Sequence, residues 1–153
     1  MTVKNTLFSS AIEEIAKQNI NWATDANIKC ALLHVDNNEG DPWDQTRTLW
    51  ADVSDWEVTE VASTGYTAGG QSMPAESNSI FLNGRVTEFK STHNPIWTDS
   101  TIDATHAVVY VDGETKYLLA MVDFGGEESS SSGAFEVTWT GEVVFQITVA
   151  EKS

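Results

Sequence analysis

Apolar residues recur every three or four positions near the start of the chain. This is the spacing of an amphipathic helix that buries one face, and its members are Leu7, Phe8, Ala11, Ile12, Ile15 and Ala16. Asn5 or Thr6 is expected to cap the helix, because a short side-chain oxygen there accepts a hydrogen bond from a free backbone N–H. Since so short a helix is not stable alone, its stripe is expected to pack on a sheet or on another subunit.

After residue 27 the pattern changes to short apolar runs and alternations, which are typical of β-strands. Residues 28–35 are apolar enough for a strand buried on both faces, and residues 56–61 alternate apolar with polar. Three hairpins are predicted, about Asn83-Gly84, Asp112-Gly113 and Gly141, from the turn residues found there. Their strands are expected over residues 79–82 and 85–90, 104–111 and 116–124, and 134–140 and 142–150.

The segments between these strands are rich in Gly, Ser, Asp and Asn. Residues 36–48 are predicted to form a long exposed loop. Residues 65–70 are predicted to form a tight loop, in which glycines take positive φ at little steric cost. Residues 125–133, which include four successive serines, are predicted to be a flexible connector.

This arrangement predicts a mainly β fold. About eight short, evenly spaced strands indicate an antiparallel β-sandwich or jelly-roll-like barrel with one short N-terminal α-helix. The chain has 153 residues, which fits one domain. We expect a helix or arm over residues 1–22 and the β-sandwich over residues 27–150.

The charge balance narrows the set of partners. Eight Lys and Arg stand against 23 Asp and Glu, so the formal net charge is −15. Nucleic acid and anionic membranes repel such a chain and are not expected partners. The acidity suits a surface that faces solvent or a basic partner, and adaptation to salty surroundings explains it equally well. The sequence shows no signal peptide and no apolar run near the ~20 residues of a membrane span, so synthesis in the cytoplasm without export is expected.

The cysteine and three of the tryptophans are predicted to be core residues. Cys30 is the single cysteine and stands in an apolar run, so a buried, unreactive thiol is expected. Trp22, Trp97 and Trp139 lie beside or within apolar strand segments and are expected to fill the core.

The sequence offers little for catalysis. The three histidines, His34, His93 and His106, are too far apart for a compact metal motif. The chain has no nucleophile elbow and no phosphate-binding glycine loop. We therefore expect neither an enzyme nor a cofactor. The enzymatic alternative is a hydrolase or other enzyme that depends on His34 or His106, which both fall in predicted strands.

The acidic loop is the best candidate for a metal site. Residues from Asp36 to Asp44 carry oxygen ligands of the kind that calcium prefers. An EF-hand would place Asp or Asn where Gly40 stands and would end in a Glu that is absent. A solvated turn is the preferred interpretation, and calcium binding stays open.

Three further tryptophans cluster around this loop, namely Trp43, Trp50 and Trp56. Aromatic side chains anchor interfaces, so the cluster is a candidate contact patch for a protein or a sugar. The alternative is that the three side chains fold the loop onto the sandwich, and we prefer this alternative slightly.

Three segments taken together resemble a group of small virion proteins of tailed bacteriophages. The similarity keeps the same order over most of the chain, although the turn at residues 112–114 is shorter and the loop at residues 36–48 more acidic than in that group. The segments are the opening helix with its exit Asn19-Ile20-Asn21-Trp22; Asp52-Val53 and Glu57-Val58 through Gly65-Tyr66-Thr67-Ala68-Gly69-Gly70; and Ala107-Val108-Val109-Tyr110, Val122-Asp123-Phe124-Gly125, the serines to Gly133 and Phe135 to Trp139.

The resemblance implies a structural protein of the virion. The leading hypothesis is a capsid decoration (cement) protein on the outer shell, which reinforces contacts between major capsid subunits. A homo-oligomer is expected, with a trimer favoured. The predicted docking element is the N-terminal segment, with Leu7, Phe8, Ile12 and Ile15 as contact residues.

The alternative hypothesis places the protein elsewhere on the particle. A tail or fibre module would bind a host surface through Trp43, Trp50 and Trp56. Location on the particle distinguishes the two hypotheses.

Overall fold

The computed structural model describes residues 4–35 and 58–151. Within these ranges the chain forms eleven strands and one α-helix. In chain order they are β1 (Lys4–Leu7), α1 (Ser9–Ala16), β2 (Ile28–Val35), β3 (Val58–Glu60), β4 (Gln71–Ser72), β5 (Asn78–Asn83), β6 (Val86–Ser91), β7 (Ile96–Ser100), β8 (Asp103–Val111), β9 (Leu118–Ser129), β10 (Gly133–Glu136) and β11 (Val143–Thr148).

The largest sheet has the strand order β1-β9-β8-β2-β3, and β4 also pairs with β2. Strands β3 and β4 contact different ends of β2, so together they form one outer edge. Two smaller sheets have the orders β11-β6-β5 and β10-β7. Every described pairing is antiparallel. The predicted mainly β, sandwich-like fold with one helix is confirmed.

Strand β2 is buried on both faces, as its sequence predicts. Cys30 and Leu32 face the main core, while Ala31 and Leu33 belong to a second apolar cluster on the opposite face. The smaller sheet β11-β6-β5 reaches the main core through aromatic contacts. Phe145 stacks on Phe89 with ring centroids 4.4 Å apart and meets Trp22 edge-on at 5.2 Å. Trp22, Trp97 and Trp139 are all buried, as predicted.

The helix begins later than its periodicity predicts. Asn5 and Thr6 lie in β1, where they pair with Val122 and Met121 of β9. The residue before the helix is Phe8, which makes no side-chain cap. The predicted cap is therefore wrong, because strand pairing takes up the residues that helical spacing assigned to the first turn.

Two of the predicted hairpins form. In the first, Asn83 pairs with Val86, so the central turn residues are Gly84 and Arg85 instead of Asn83 and Gly84. Of these two only Gly84 has positive φ, at 63°, which is the pattern of a type II′ turn. Strands β8 and β9 form the second hairpin.

The third predicted hairpin is wrong. Strand β10 pairs with β7, and β11 pairs with β6, so the two strands flanking Gly141 belong to different sheets. Gly141 takes φ 61° within a short turn at residues 140–142, which carries the chain between the sheets. Strand β7 was not predicted, and it supplies the partner that β10 uses.

The serine-rich segment is ordered, contrary to the prediction of a flexible connector. Strand β9 extends to Ser129, which pairs with Asp103. A register shift near Gly125 and Gly126 forms a bulge, and both glycines take positive φ there. Beyond the strand, Ser130 Oγ lies 2.8 Å from the Oγ of buried Ser100. Hydrogen bonds from serine hydroxyl groups thus help to order this segment, although its low-complexity composition predicted flexibility.

Candidate protein-binding surface

The predicted docking residues near the N-terminus are mostly used by the domain itself. Phe8 is fully buried, and Leu7 and Ile15 pack against the main core. Ile12 remains, with 48% of its surface exposed. Phe8 can therefore reach a partner only if the segment leaves the domain.

The candidate aromatic patch and the acidic loop fall in one segment of the chain. Trp43, Trp50 and Trp56 lie outside the described residues, and so does the acidic loop from Asp36 to Asp44. Host contact through the three tryptophans stays the alternative hypothesis, and calcium binding by the acidic loop stays open.

Among the described strands, β5 of the β5–β6 hairpin has the most exposed apolar side chains. Ile80 is 52% exposed, Phe81 53% and Leu82 71%. Ile80 lies opposite the buried Phe89, so it continues the core-facing side of this small sheet beyond the core. Phe81 points to the other face, where Lys90 Nζ lies 5.5 Å from the centre of its ring. The hairpin therefore presents apolar surface on both faces.

Strand β5 is also an edge strand, since within the described chain it pairs with β6 alone. In a two-residue hairpin the closing residues exchange hydrogen bonds, so Asn83 and Phe81 direct their backbone groups toward β6. By alternation, the N–H and C=O groups of Ile80 and Leu82 point away from β6, along the open edge.

The composition of β5 leaves this edge unprotected. Natural proteins commonly protect an open edge with charged residues, proline or bulges, and residues 78–83 contain no charge and no proline. Sequence reasoning placed a strand here but missed the surface. The available signal is the run Ile80-Phe81-Leu82 beside a turn, because three successive apolar residues in a strand put apolar groups on both faces.

An open cleft of about 320 Å³ is the second surface feature, and it is lined in part by His34, Glu60 and Asp103. His34 Nε2 lies 2.8 Å from Glu127 Oε2. Glu60 Oε1 accepts hydrogen bonds from Tyr66 Oη at 2.7 Å and from the Gly69 N–H at 2.6 Å. The carboxylate of Glu60 therefore holds residues 65–70, the glycine loop, in place and has a structural role.

The tyrosine of this network is a structural donor. Burial is the main cause that raises the pKa of Tyr66 far above its ordinary value. Its hydroxyl also accepts a hydrogen bond from the Leu32 N–H, over 3.1 Å. The tyrosine thus ties the glycine loop to β2.

The two strand histidines do not meet. Leu33 lies opposite His106 across β2 and β8, so the neighbouring His34 projects from the other face of the sheet. His106 is buried, with Nδ1 2.8 Å from Thr105 Oγ1 and Nε2 3.7 Å from Asp123 Oδ1. Within residues 4–35 and 58–151, no group of three His, Cys, Asp or Glu is placed to hold a metal ion.

These features define the chain as a small antiparallel β-sandwich-like domain with an exposed apolar hairpin at a sheet edge. Comparisons with protein-family models, with curated proteins and with solved structures found no match to this chain. Among the described helical residues, no helix is long and apolar enough to cross a membrane.

Proposed function

We propose that this chain is a structural virion protein of a tailed phage. In this proposal it decorates the outside of the capsid and reinforces contacts between major capsid subunits. It acts by protein–protein contact and performs no chemistry. The resemblance of three segments to small virion proteins gives the proposal its biological setting.

The observation that carries the proposal is the exposed apolar hairpin. An assembly protein needs apolar surface that its own fold leaves uncovered, and large exposed apolar groups mark contact sites. Ile80, Phe81 and Leu82 supply such surface at an open sheet edge. The expected contribution of the N-terminal segment is reduced to Ile12 as long as Phe8 stays buried.

The charge of the chain agrees with an outward position on the shell. A net charge of −15 repels packaged nucleic acid and favours a surface turned to solvent. A basic surface on the capsid would attract the same charge. Binding to purified shells should then weaken as ionic strength rises, because salt screens exposed charges.

Cryo-electron microscopy of intact particles tests the proposal directly. Many copies in register with the shell lattice are the expected result. A few copies at the tail would instead favour the module that binds a host surface through Trp43, Trp50 and Trp56. Absence from the particle would defeat both functions.

A second test measures the strengthening itself. Particles assembled without the protein should lose their DNA at lower temperature and in low salt, and added protein should restore resistance. Particles that resist equally well without it would contradict a cement role, even if the protein is bound. Matched particles with a fluorescently labelled copy provide the occupancy control.

A further inference from the structure

We infer that β5 pairs with β5 of a second copy of this chain, antiparallel and about a two-fold axis at Phe81. The inference rests on the proposed function in one respect, that the β5–β6 hairpin is a protein-contact surface. The inference identifies a second copy of the chain as the partner that binds this surface. The resulting dimer differs from the trimer that the sequence led us to expect.

The backbone of β5 suits this pairing. The N–H and C=O groups of Ile80 and Leu82 point outward from the edge. In a register centred on Phe81, Ile80 of each copy lies opposite Leu82 of the other. Each of these pairs exchanges both of its N–H···O=C bonds, as hydrogen-bonded antiparallel pairs do. The outward groups of both residues therefore find partners at the same time.

The side chains are self-complementary in the same register. Phe81 meets Phe81 of the second copy as a non-hydrogen-bonded pair, in which side chains lie closest. On the other face, Ile80 packs beside Leu82 of the second copy. Ser79 lies opposite Asn83, polar against polar. The three most exposed side chains of β5 thus become covered on both faces of one continuous sheet.

Charge opposes self-association less along this strand than the net charge of the chain would suggest. Two chains of net charge −15 repel each other, but β5 carries no charge. The nearest acidic residue in register is Glu88, opposite Phe81. In the dimer, Glu88 and its copy are separated by three strand spacings, roughly 14 Å, which exceeds the screening length of about 8 Å at physiological salt. Lys90, near the Phe81 ring, adds positive charge beside the junction.

Sedimentation velocity of the purified protein over a concentration series tests the dimer. We expect a monomer–dimer equilibrium, and we expect Leu82→Pro to raise the dissociation constant about tenfold or more. This change removes an outward N–H and leaves the hydrogen bonds to β6 intact. Ile96→Ser removes a partly exposed apolar side chain on a different sheet and should leave the equilibrium unchanged. A wild-type protein that stays monomeric up to about millimolar concentration overturns the inference.

Disulfide crosslinking tests the register. In Phe81→Cys the two new thiols face each other with Cα atoms about 4.5 Å apart, within the range of a disulfide. In Ile80→Cys they are displaced by two residues, roughly 7 Å along the strand, and should not crosslink. Cys30 is fully buried and does not interfere. Natively folded variants that crosslink equally, or a Phe81→Cys protein that does not crosslink, contradict the register.

These experiments use purified protein without particles, so the two proposals fail separately. A chain that dimerises through Phe81 but is absent from the virion defeats the decoration proposal alone. A chain that coats shells but stays monomeric in solution over the same concentration range defeats the dimer alone.

Discussion

Asn5 of β1 donates a hydrogen bond from Nδ2 to the backbone oxygen of Val144 in β11, over 2.8 Å. The two residues stand 139 positions apart in the sequence. Their contact ties the outer strand of the largest sheet to the sheet β11-β6-β5. The Oδ1 atom of Asn5 is buried without a hydrogen-bond partner within the described structure. The side-chain amide of Asn5 is therefore held through its Nδ2 group and not through Oδ1.

This contact predicts an order of stability among variants of Asn5. Asn5→Ala should lower the free energy of unfolding by about 1 kcal/mol, the worth of one hydrogen bond. Asn5→Asp should lower it by on the order of 2–3 kcal/mol, because a carboxylate would face the Val144 carbonyl. Urea denaturation provides the measurement. Asn19→Ala, which removes an exposed hydrogen bond to Glu14, is the control and should have little effect. Equal stability of the Ala and Asp variants would contradict the donor role.

The glycine loop contains a position where no side chain fits. A Cβ atom on Gly70 would lie 2.0 Å from the Cys30 backbone oxygen, and the residue has φ +82°. We expect Gly70→Ala to destabilise the fold by more than about 3 kcal/mol, from overlap and backbone strain together. Gly84→Ala is the matched control, since Gly84 has φ +63° but no atom within 4 Å of a Cβ. It should cost about 1 kcal/mol, from strain alone, and comparable losses in the two variants would refute the steric argument.

The sequence predicts best those elements that depend on a local residue pattern, such as an apolar run or a turn dipeptide. Strand β2 has the predicted bounds, because burial on both faces requires a continuous apolar run. Hairpins near Asn83-Gly84 and Asp112-Gly113 were predicted for a similar reason, since turn residues are a local signal. The turns themselves differ, because the first centres on Gly84 and Arg85 and the second connects β8 to β9 through residues 112–117. Gly141 misled because it also supports positive φ, yet the strands beside it pair elsewhere. Which strands pair depends on the whole fold.

The candidate surface escaped prediction for the same physical reason. An apolar run in a strand normally indicates burial, and the strand containing Ile80, Phe81 and Leu82 was predicted. Their exposure depends on where the small sheet ends relative to the core, which no local pattern records. The N-terminal stripe was expected to pack on a sheet or on another subunit. Phe8 and Ala11 are buried within their own domain, and docking on a partner stays a prediction.

Phe145 is expected to be a main anchor of the sheet β11-β6-β5, because it contacts both Phe89 and Trp22. Phe145→Ala should lower the free energy of unfolding by about 3–5 kcal/mol through lost contacts and a cavity. Phe81→Ala, measured at a concentration where the protein is monomeric, removes the same group from an exposed site and should change stability by less than about 0.5 kcal/mol. Guanidinium titrations of both variants make the comparison, and similar losses would mean that the sheet is not held through Phe145.

Cys30 predicts a specific response to alkaline pH. Burial raises the pKa of its thiol from an ordinary 9.0 to about 12, so folding favours the neutral form. The contribution of the neutral thiol to the free energy of unfolding is fully present below about pH 9. It declines between about pH 9 and 12, because there the unfolded chain loses a proton that the folded chain keeps. The corresponding slope is about 1.4 kcal/mol per pH unit. Cys30→Ala should therefore lose stability less steeply than the wild type when urea titrations at pH 8 and at about pH 10.5 are compared. The tyrosines titrate in both proteins, so their effect cancels in the difference, and parallel pH profiles would show that the thiol is not held neutral by the fold.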